Sequence, residues 1–208
     1  MSDFNLPKLY IISPPIVDPL NFPNQLSEIL ESNEISCFRL SLASKDEDAI
    51  IRIADTLREL LHARNIPLII EDHYKLVKKI GLDGVHLTDG ARSVKYVRKE
   101  LGADYIIGSY CSTSKHNGLL AAENGADYIS FGPLENDGLG NSKSVPKEIF
   151  EWWSEIIEVP VVVEGNLKAF GLREISKFTD FIAFGEELWG SKNPNDSLQK
   201  LQEAFIQP

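Results

Sequence analysis

Polar and glycine-containing segments directly follow a series of short apolar runs along the chain. They combine an arginine, carboxylates, histidines and glycines, which are residue types that hold phosphate groups, bind divalent cations and transfer protons. If the runs are parallel strands of a barrel, these side chains share its carboxyl-terminal end. A purely structural rim would also be polar, so the pattern alone defines no reaction. The segments are Ser13, Arg39 with Ser41, Glu71–His73, His86–Asp89, Ser109–Ser112, Gly132–Pro133 with 135–144, Glu164–Asn166 and Gly185–Glu187.

The apolar runs have the length and composition of strands that are buried on both faces. They are rich in Ile, Val, Phe and Tyr and are mostly continuous rather than alternating, which is typical of a parallel sheet. The predicted strands are Leu9–Ser13, Ile35–Leu40, Pro67–Glu71, Gly84–Leu87, Tyr105–Gly108, Tyr128–Gly132, Val161–Glu164 and Phe181–Phe184. The amphipathic segments between them predict helices at Glu47–Ala63, Ser93–Leu101, Asn117–Asn124, Pro146–Ile157, Leu167–Phe178 and Asn195–Ile206.

A short motif recurs where a predicted helix ends and a strand begins. Gly102-Ala-Asp-Tyr-Ile106 returns as Gly125-Ala-Asp-Tyr-Ile129, with looser copies at 82–85 and 179–182. Its glycine suits the left-handed end of a helix, and its aspartate suits a tight turn. Eight strand–helix units in 208 residues predict a single (β/α)8 TIM barrel domain spanning residues 1–208. A doubly wound sheet is the alternative, but it needs a glycine-rich loop after the first strand, which is absent.

The composition restricts the class of partner. With 21 basic and 31 acidic residues the formal charge is −10, which argues against binding to nucleic acid or an anionic membrane. A small phosphorylated substrate remains compatible, because one cluster of donors can hold a phosphate. Two cysteines cannot build a disulfide framework, and no apolar run approaches the roughly 18 residues of a membrane span. The first residues lack the pattern of a signal peptide, so we expect a cytoplasmic protein.

Several motifs together resemble the thiamine-phosphate synthase family. Leu68-Ile-Ile-Glu-Asp72 is followed, eleven residues after its aspartate, by Asp83-Gly-Val-His-Leu87. Gly125-Ala-Asp-Tyr-Ile-Ser-Phe-Gly-Pro133 and Pro160-Val-Val-Val-Glu-Gly165 fall where the sixth and seventh strands of that family lie. The resemblance runs from about Lys8 to Gly190, and the order and spacing of the motifs make it fairly specific.

The resemblance implies a reaction and a cofactor. In this family a hydroxymethylpyrimidine diphosphate loses pyrophosphate with the help of Mg2+, and the nitrogen of a thiazole phosphate captures the resulting pyrimidine cation. Asp72 matches the first Mg2+ ligand of the family. The second ligand position is Ala91, and Asp89 is the candidate replacement.

The resemblance also implies the remaining site residues. The implied catalytic residues are Arg39, Asp72 and His86: Arg39 would bind the diphosphate, and His86 matches a histidine at the end of the family's fourth strand. The candidates for substrate or phosphate binding are Arg39, Glu71, Ser112, Lys143, Gly165, Asn166 and Gly185. Departures from the family pattern include Ser41 in place of a lysine and Glu186 in place of a phosphate-binding serine, where a carboxylate would repel a phosphate.

Two other functions fit the resemblance. One is a thiazole tautomerase of the same pathway, although Pro133 stands where that branch has a histidine. The other is a non-catalytic barrel that binds a thiamine precursor, which the altered metal and phosphate positions favour. The adjacent Trp152 and Trp153 point about 100° apart on one helix, so at most one can be fully buried, and the other is a candidate contact in a homo-oligomer. Cys111 is expected to be a small buried group rather than a nucleophile.

Overall fold

The computed structural model describes residues 6–135 and 144–206, which form a closed barrel of eight parallel strands in sequential order. The predicted barrel is confirmed. The strands are β1 (Lys8–Ile12), β2 (Ile35–Leu40), β3 (Leu68–Glu71), β4 (Gly84–Leu87), β5 (Ile106–Tyr110), β6 (Tyr128–Phe131), β7 (Val161–Glu164) and β8 (Phe181–Phe184). The helices are α1 (Phe22–Ser32), α2 (Glu47–His62), α3 (Tyr74–Ile80), α4 (Val94–Leu101), α5 (Lys115–Glu123), α6 (Lys147–Ile156), α7 (Ala169–Ile175), α8 (Glu186–Trp189) and α9 (Pro194–Ile206).

The sequence analysis did not identify α1, α3 and α8. The helix α1 has a proline at its start, where the missing N–H is tolerated. The helices α3 and α8 have seven and four residues, which is too short for a clear helical period. Packing on the barrel stabilises such short helices.

Each strand contributes to two apolar layers because its side chains alternate. Outward-facing residues pack against the helices and form the large core. Inward-facing residues fill the barrel itself with a second cluster, and this arrangement explains the continuous apolar runs. The inner cluster consists of Tyr10, Cys37, Ile69, Tyr128, Val162 and Ala183.

The repeated aspartate motif ties neighbouring strands together. Asp83, Asp127 and Asp180 each stand just before a strand, and each accepts a hydrogen bond from the backbone N–H of Leu68, Ile107 or Val161 on the preceding strand, at 2.7–2.8 Å. These bonds satisfy N–H groups near the amino ends of β3, β5 and β7. The recurrence of the motif therefore has a structural cause at this end of the barrel, away from the polar rim.

The tryptophan pair divides as predicted. Trp153 is fully buried, packs against Phe131, and donates its indole N–H to the Val159 carbonyl at 2.8 Å. Trp152 is partly exposed, and the Lys115 ammonium lies 3.1 Å from its ring centre. The suggested oligomer contact stays a prediction. Within the two described ranges no helix has both the length and the apolarity to cross a membrane.

The close approach of β4 and β5 requires a glycine at position 84. A Cβ there would lie 2.1 Å from the Ile106 carbonyl oxygen, which is backbone and cannot move aside. We expect Gly84→Ala to lower the free energy of unfolding by at least about 2 kcal/mol, measured by urea denaturation. In the control Gly171→Ala the new methyl would meet flexible side chains, and alanine favours a helix, so stability should stay near wild type. An equal loss in both variants would contradict the explanation.

Candidate active site

Arg39 crosses the upper interior of the barrel and pairs with two carboxylates. Its Nη1 and Nη2 atoms donate to the Glu164 carboxylate at 3.0 and 3.3 Å, and its Nε lies 3.5 Å from Glu71 Oε2. These three residues belong to β2, β7 and β3, so the charges of three strand ends meet there. Arg39 and Glu164 are only 5% and 8% exposed. A buried guanidinium needs such compensation, because removal from water strongly disfavours an isolated charge.

The pKa values in this cluster follow from burial and pairing. Burial alone would lower the pKa of Arg39, but the adjacent Glu164 carboxylate raises it, and the net shift is upward. Burial raises the pKa of Glu71, and the Arg39 charge opposes that shift. Arg39 therefore stays a cation.

A neutral hydrogen-bonded chain lies next to the charged cluster inside the barrel. The Tyr10 and Tyr128 hydroxyls are 2.8 Å apart, and Tyr128 Oη is also 2.8 Å from His86 Nδ1. Gly108 leaves room for this chain, because a Cβ there would lie 2.0 Å from the Tyr128 ring. His86 is fully buried, and burial lowers its pKa well below 6.5, with a further lowering from the Arg39 charge. His86 is therefore neutral and faces the barrel interior.

Asp72 lies at the end of β3 and joins it to the loop after β4. Its two carboxylate oxygens accept from the Thr88 N–H at 2.9 Å and from the Thr88 hydroxyl at 2.5 Å. Its backbone has φ of 55°, a left-handed conformation that aspartate tolerates better than most residues. Asp89 directly follows Thr88 in the sequence, but its carboxylate accepts from the Ser93 hydroxyl at 2.6 Å.

A magnesium ion would find one suitable carboxylate here rather than a complete cage. Among the described residues there is no group of three or more metal-ligating side chains. Ala91, at the second family position, is buried and has no side-chain donor atom. Each Asp72 oxygen keeps a free lone pair beside its bond to Thr88. Because Mg2+ bound to substrate phosphates takes only one or two protein carboxylates, Asp72 fits as a single ligand.

The loops after β7 and β8 bring two backbone N–H groups to one carboxylate. Glu187 Oε1 accepts from the Leu167 N–H at 2.9 Å, and Glu187 Oε2 accepts from the Gly185 N–H at 3.0 Å. Gly165 and Asn166 shape the first loop through left-handed backbones, with φ of 80° and 52°. The Asn166 side chain donates to the Glu135 carbonyl at 2.7 Å, so it braces the neighbouring loop.

A cavity of about 260 Å³ lies at the carboxyl ends of the strands, and some of the predicted site residues line it. Arg39, Gly165, Asn166 and Gly185 contact this cavity. The cavity lining does not include Asp72, His86, Asp89 or Ser112. Glu71 does not line the cavity either, but its carboxylate contacts Arg39, which does. Lys143 lies outside the described residues. The full lining is Ile12, Ser13, Pro15, Arg39, Ser41, Glu164, Gly165, Asn166, Gly185, Glu186 and Glu187.

Most of the chain matches a known protein family. A family model described as thiamine monophosphate synthase matches residues 9–186. The chain belongs to the thiamine monophosphate synthase family. The thiamine-phosphate synthase of Rhodospirillum centenum is 36% identical over 161 residues, which cover 77% of this chain and 78% of the relative. That of Erythrobacter litoralis is 31% identical over 196 residues, covering 91% and 92%.

Solved structures support the same fold. The thiamine phosphate pyrophosphorylase from Pyrococcus furiosus superposes with a TM-score of 0.82 at 21% identity and covers 96% of both chains. The family model and the two sequence relatives confirm the family resemblance inferred from the motifs. The roles of individual site residues stay predictions.

The sequence analysis missed the carboxylate partners of Arg39 and of the backbone N–H groups in the loops after β7 and β8. Glu164 and Glu187 stood in the polar rim but were given no role. For Glu164 the sequence did contain a signal, because this carboxylate ends a run of three valines. A charge at the end of a buried strand needs a counter-ion, so a basic partner could have been predicted. Glu186, expected to meet a phosphate, is exposed, and Glu187 takes the backbone donors instead. Cys111 is buried as expected, and burial raises the pKa of its thiol to about 11.

Loss of the Glu164 charge should destabilise the barrel. In Glu164→Gln the amide oxygen can still accept one hydrogen bond, but the more distant Glu71 becomes the remaining charge partner of the buried Arg39, so we expect the free energy of unfolding to fall by about 3 kcal/mol. Glu158→Gln removes an exposed carboxylate near the same strand and should leave stability close to wild type. Urea denaturation of both variants measures the difference. Equal stability of the two variants would show that the ion pair contributes nothing.

The buried neutral His86 should make stability depend on pH. The unfolded chain takes up a proton near pH 6.5 while the folded chain does not, so stability falls as pH decreases below about 6.5. Its contribution to the slope is about 1.4 kcal/mol per pH unit. The variant His86→Gln should lose this part of the slope between about pH 6.5 and 5.5, and the exposed control His116→Gln should keep it. An unchanged slope in His86→Gln would mean that His86 is protonated in the folded state.

Proposed function

We propose that the protein is a transferase that joins hydroxymethylpyrimidine diphosphate to thiazole phosphate and releases pyrophosphate in the synthesis of thiamine phosphate. The family match over residues 9–186 is the observation that carries this proposal. It is supported by the cavity at the carboxyl ends of the strands, where enzymes with this barrel place their chemistry.

Arg39 is the proposed anchor for the diphosphate. Its guanidinium lines the cavity and is held in one orientation by Glu164 and Glu71. Charge grows on the pyrophosphate as the carbon–oxygen bond breaks, and a fixed cation stabilises that charge without reorganisation. The bonding pair leaves with pyrophosphate, and the lone pair of the thiazole nitrogen forms the new carbon–nitrogen bond. The burial of Arg39 strengthens the interaction.

Asp72 is the proposed carboxylate for a magnesium ion. Its hydrogen bonds to Thr88 hold the carboxylate in place at the ends of β3 and β4. Bound there, Mg2+ would neutralise charge on the departing diphosphate. Asp89 would have to leave Ser93 to join it. His86, held neutral by burial, would shape the floor of the site rather than exchange protons with substrate.

A barrel that binds a thiamine precursor without turnover is the second candidate. The observation that favours it is the occupation of both anion-binding elements by Glu164 and Glu187. The phosphorylated substrates then have to displace or share these carboxylates. An assay of turnover decides between the two candidates.

Purified protein should form thiamine phosphate from both precursors in the presence of Mg2+. We expect Asp72→Asn, which can keep a hydrogen bond to Thr88 and tolerates the left-handed backbone, to lower kcat/KM by roughly 100-fold, and Asp72→Ala to lower it as much. The exposed control Asp104→Ala should be unaffected.

Two outcomes would contradict parts of this proposal. Unchanged turnover in both Asp72 variants would remove the metal assignment and leave the transferase in place. Absence of turnover in the wild type, together with thermal stabilisation by thiazole phosphate alone, would favour the binding protein.

A further inference from the structure

Glu187 lines the cavity and accepts hydrogen bonds from two backbone N–H groups. The Leu167 N–H comes from the loop after β7 and the Gly185 N–H from the loop after β8, and each donates to a different oxygen of the Glu187 carboxylate. The donors thus converge from separate loops on one anion. We refer to the N–H groups of Leu167 and Gly185 as the anion cradle.

The anion cradle has the features of a site for a larger anion. The loops after strands seven and eight bind phosphate in many barrels of this type. The left-handed backbones at Gly165 and Asn166 direct the chain into Leu167, and Gly185 lines the same cavity as Arg39. A carboxylate and a phosphate both present two oxygens to such a pair of donors, so one can replace the other.

We propose that Glu187 is an internal competitor that occupies the anion cradle until the phosphate of the thiazole substrate displaces it. This inference rests on the proposed function and deepens it, because it identifies a residue that determines specificity. Glu187 is partly exposed, so its side chain can turn out to water when the phosphate enters. If it stayed, two anions would share one pair of donors, and their repulsion would weaken binding.

The exchange selects for a phosphate that is attached to the rest of the substrate. Free phosphate has only the cradle to compensate for the loss of the Glu187 bonds. A phosphate on the thiazole ring also gains the contacts of the ring with the cavity. The internal carboxylate therefore reduces occupation of the site by small free anions.

The test is a calorimetric titration of the purified protein with inorganic phosphate. Glu187→Ala removes the competitor, and we expect the dissociation constant for phosphate to fall at least about tenfold. Glu187→Gln removes the charge but can still accept one hydrogen bond, so it should lie between wild type and Glu187→Ala. Glu203→Ala is the matched control, because Glu203 has the same charge but is exposed on α9 and does not line the cavity. It should change the constant by no more than about threefold, as expected for a screened surface charge.

Two results would overturn the inference. One is a phosphate affinity in Glu187→Ala within about threefold of wild type, for protein whose circular dichroism and melting temperature show it is folded, with Glu187→Gln giving the same answer. The other is equal tightening in Glu203→Ala, which would attribute the effect to net charge alone.

The proposed function and the role of Glu187 can be tested independently. The phosphate titration requires no turnover, so an inactive wild type would contradict the transferase and leave the titration to decide the role of Glu187. In an active enzyme, Glu187→Ala should lower KM for thiazole phosphate and leave KM for the diphosphate unchanged. An unchanged KM for thiazole phosphate would count against the competitor even if the enzyme is fully active.

Discussion

The buried guanidinium of Arg39 determines how the active end of this barrel is organised. A cation at 5% exposure is tolerated only with close negative partners, which are Glu71 on the neighbouring strand β3 and Glu164 on β7, which is not adjacent to β2. The bidentate hydrogen bonding to Glu164 fixes the plane of the guanidinium. One side chain thereby links β2, β3 and β7 above the apolar filling of the barrel.

The layer beneath the ion cluster is polar but neutral. Burial raises the pKa values of Tyr10 and Tyr128 and lowers that of His86, so no further charge is added close to Arg39. The hydrogen bonds among these three side chains satisfy most of their buried polar groups, which would otherwise be costly. Tyr10 and Tyr128 also belong to the inner apolar cluster, so this layer connects the charged end of the barrel to its apolar filling.

Carboxylates of the chain hold both of the elements that the proposed function assigns to substrate anions. Glu164 holds the guanidinium, and Glu187 holds the backbone donors of the β7 and β8 loops. Under the proposed function, a phosphorylated substrate would replace the Glu187 carboxylate at these donors rather than fill empty ones. The net affinity then depends on the difference between two similar interactions, which makes selectivity sensitive to small changes in these carboxylates.

The local pattern of residues was sufficient to predict the barrel and its family. Continuous runs such as 161–163 predicted strands buried on both faces, and the repeated aspartate turn marked where strands begin. The strand order also predicted that Arg39, Gly165 and Gly185 would lie at one end. These features depend on short-range periodicity and on the geometry of a parallel barrel, which the order of residues determines directly.

Only the tertiary structure decided which charges pair. Glu164 is 125 residues from Arg39, and the sequence contains many other acidic residues that could have compensated the same guanidinium. Likewise Glu186 and Glu187 are identical, adjacent residues in the sequence. In the structure Glu186 is exposed, whereas Glu187 accepts two backbone hydrogen bonds. Pairing depends on directions and distances between side chains on different strands, and these are defined only once the barrel has closed.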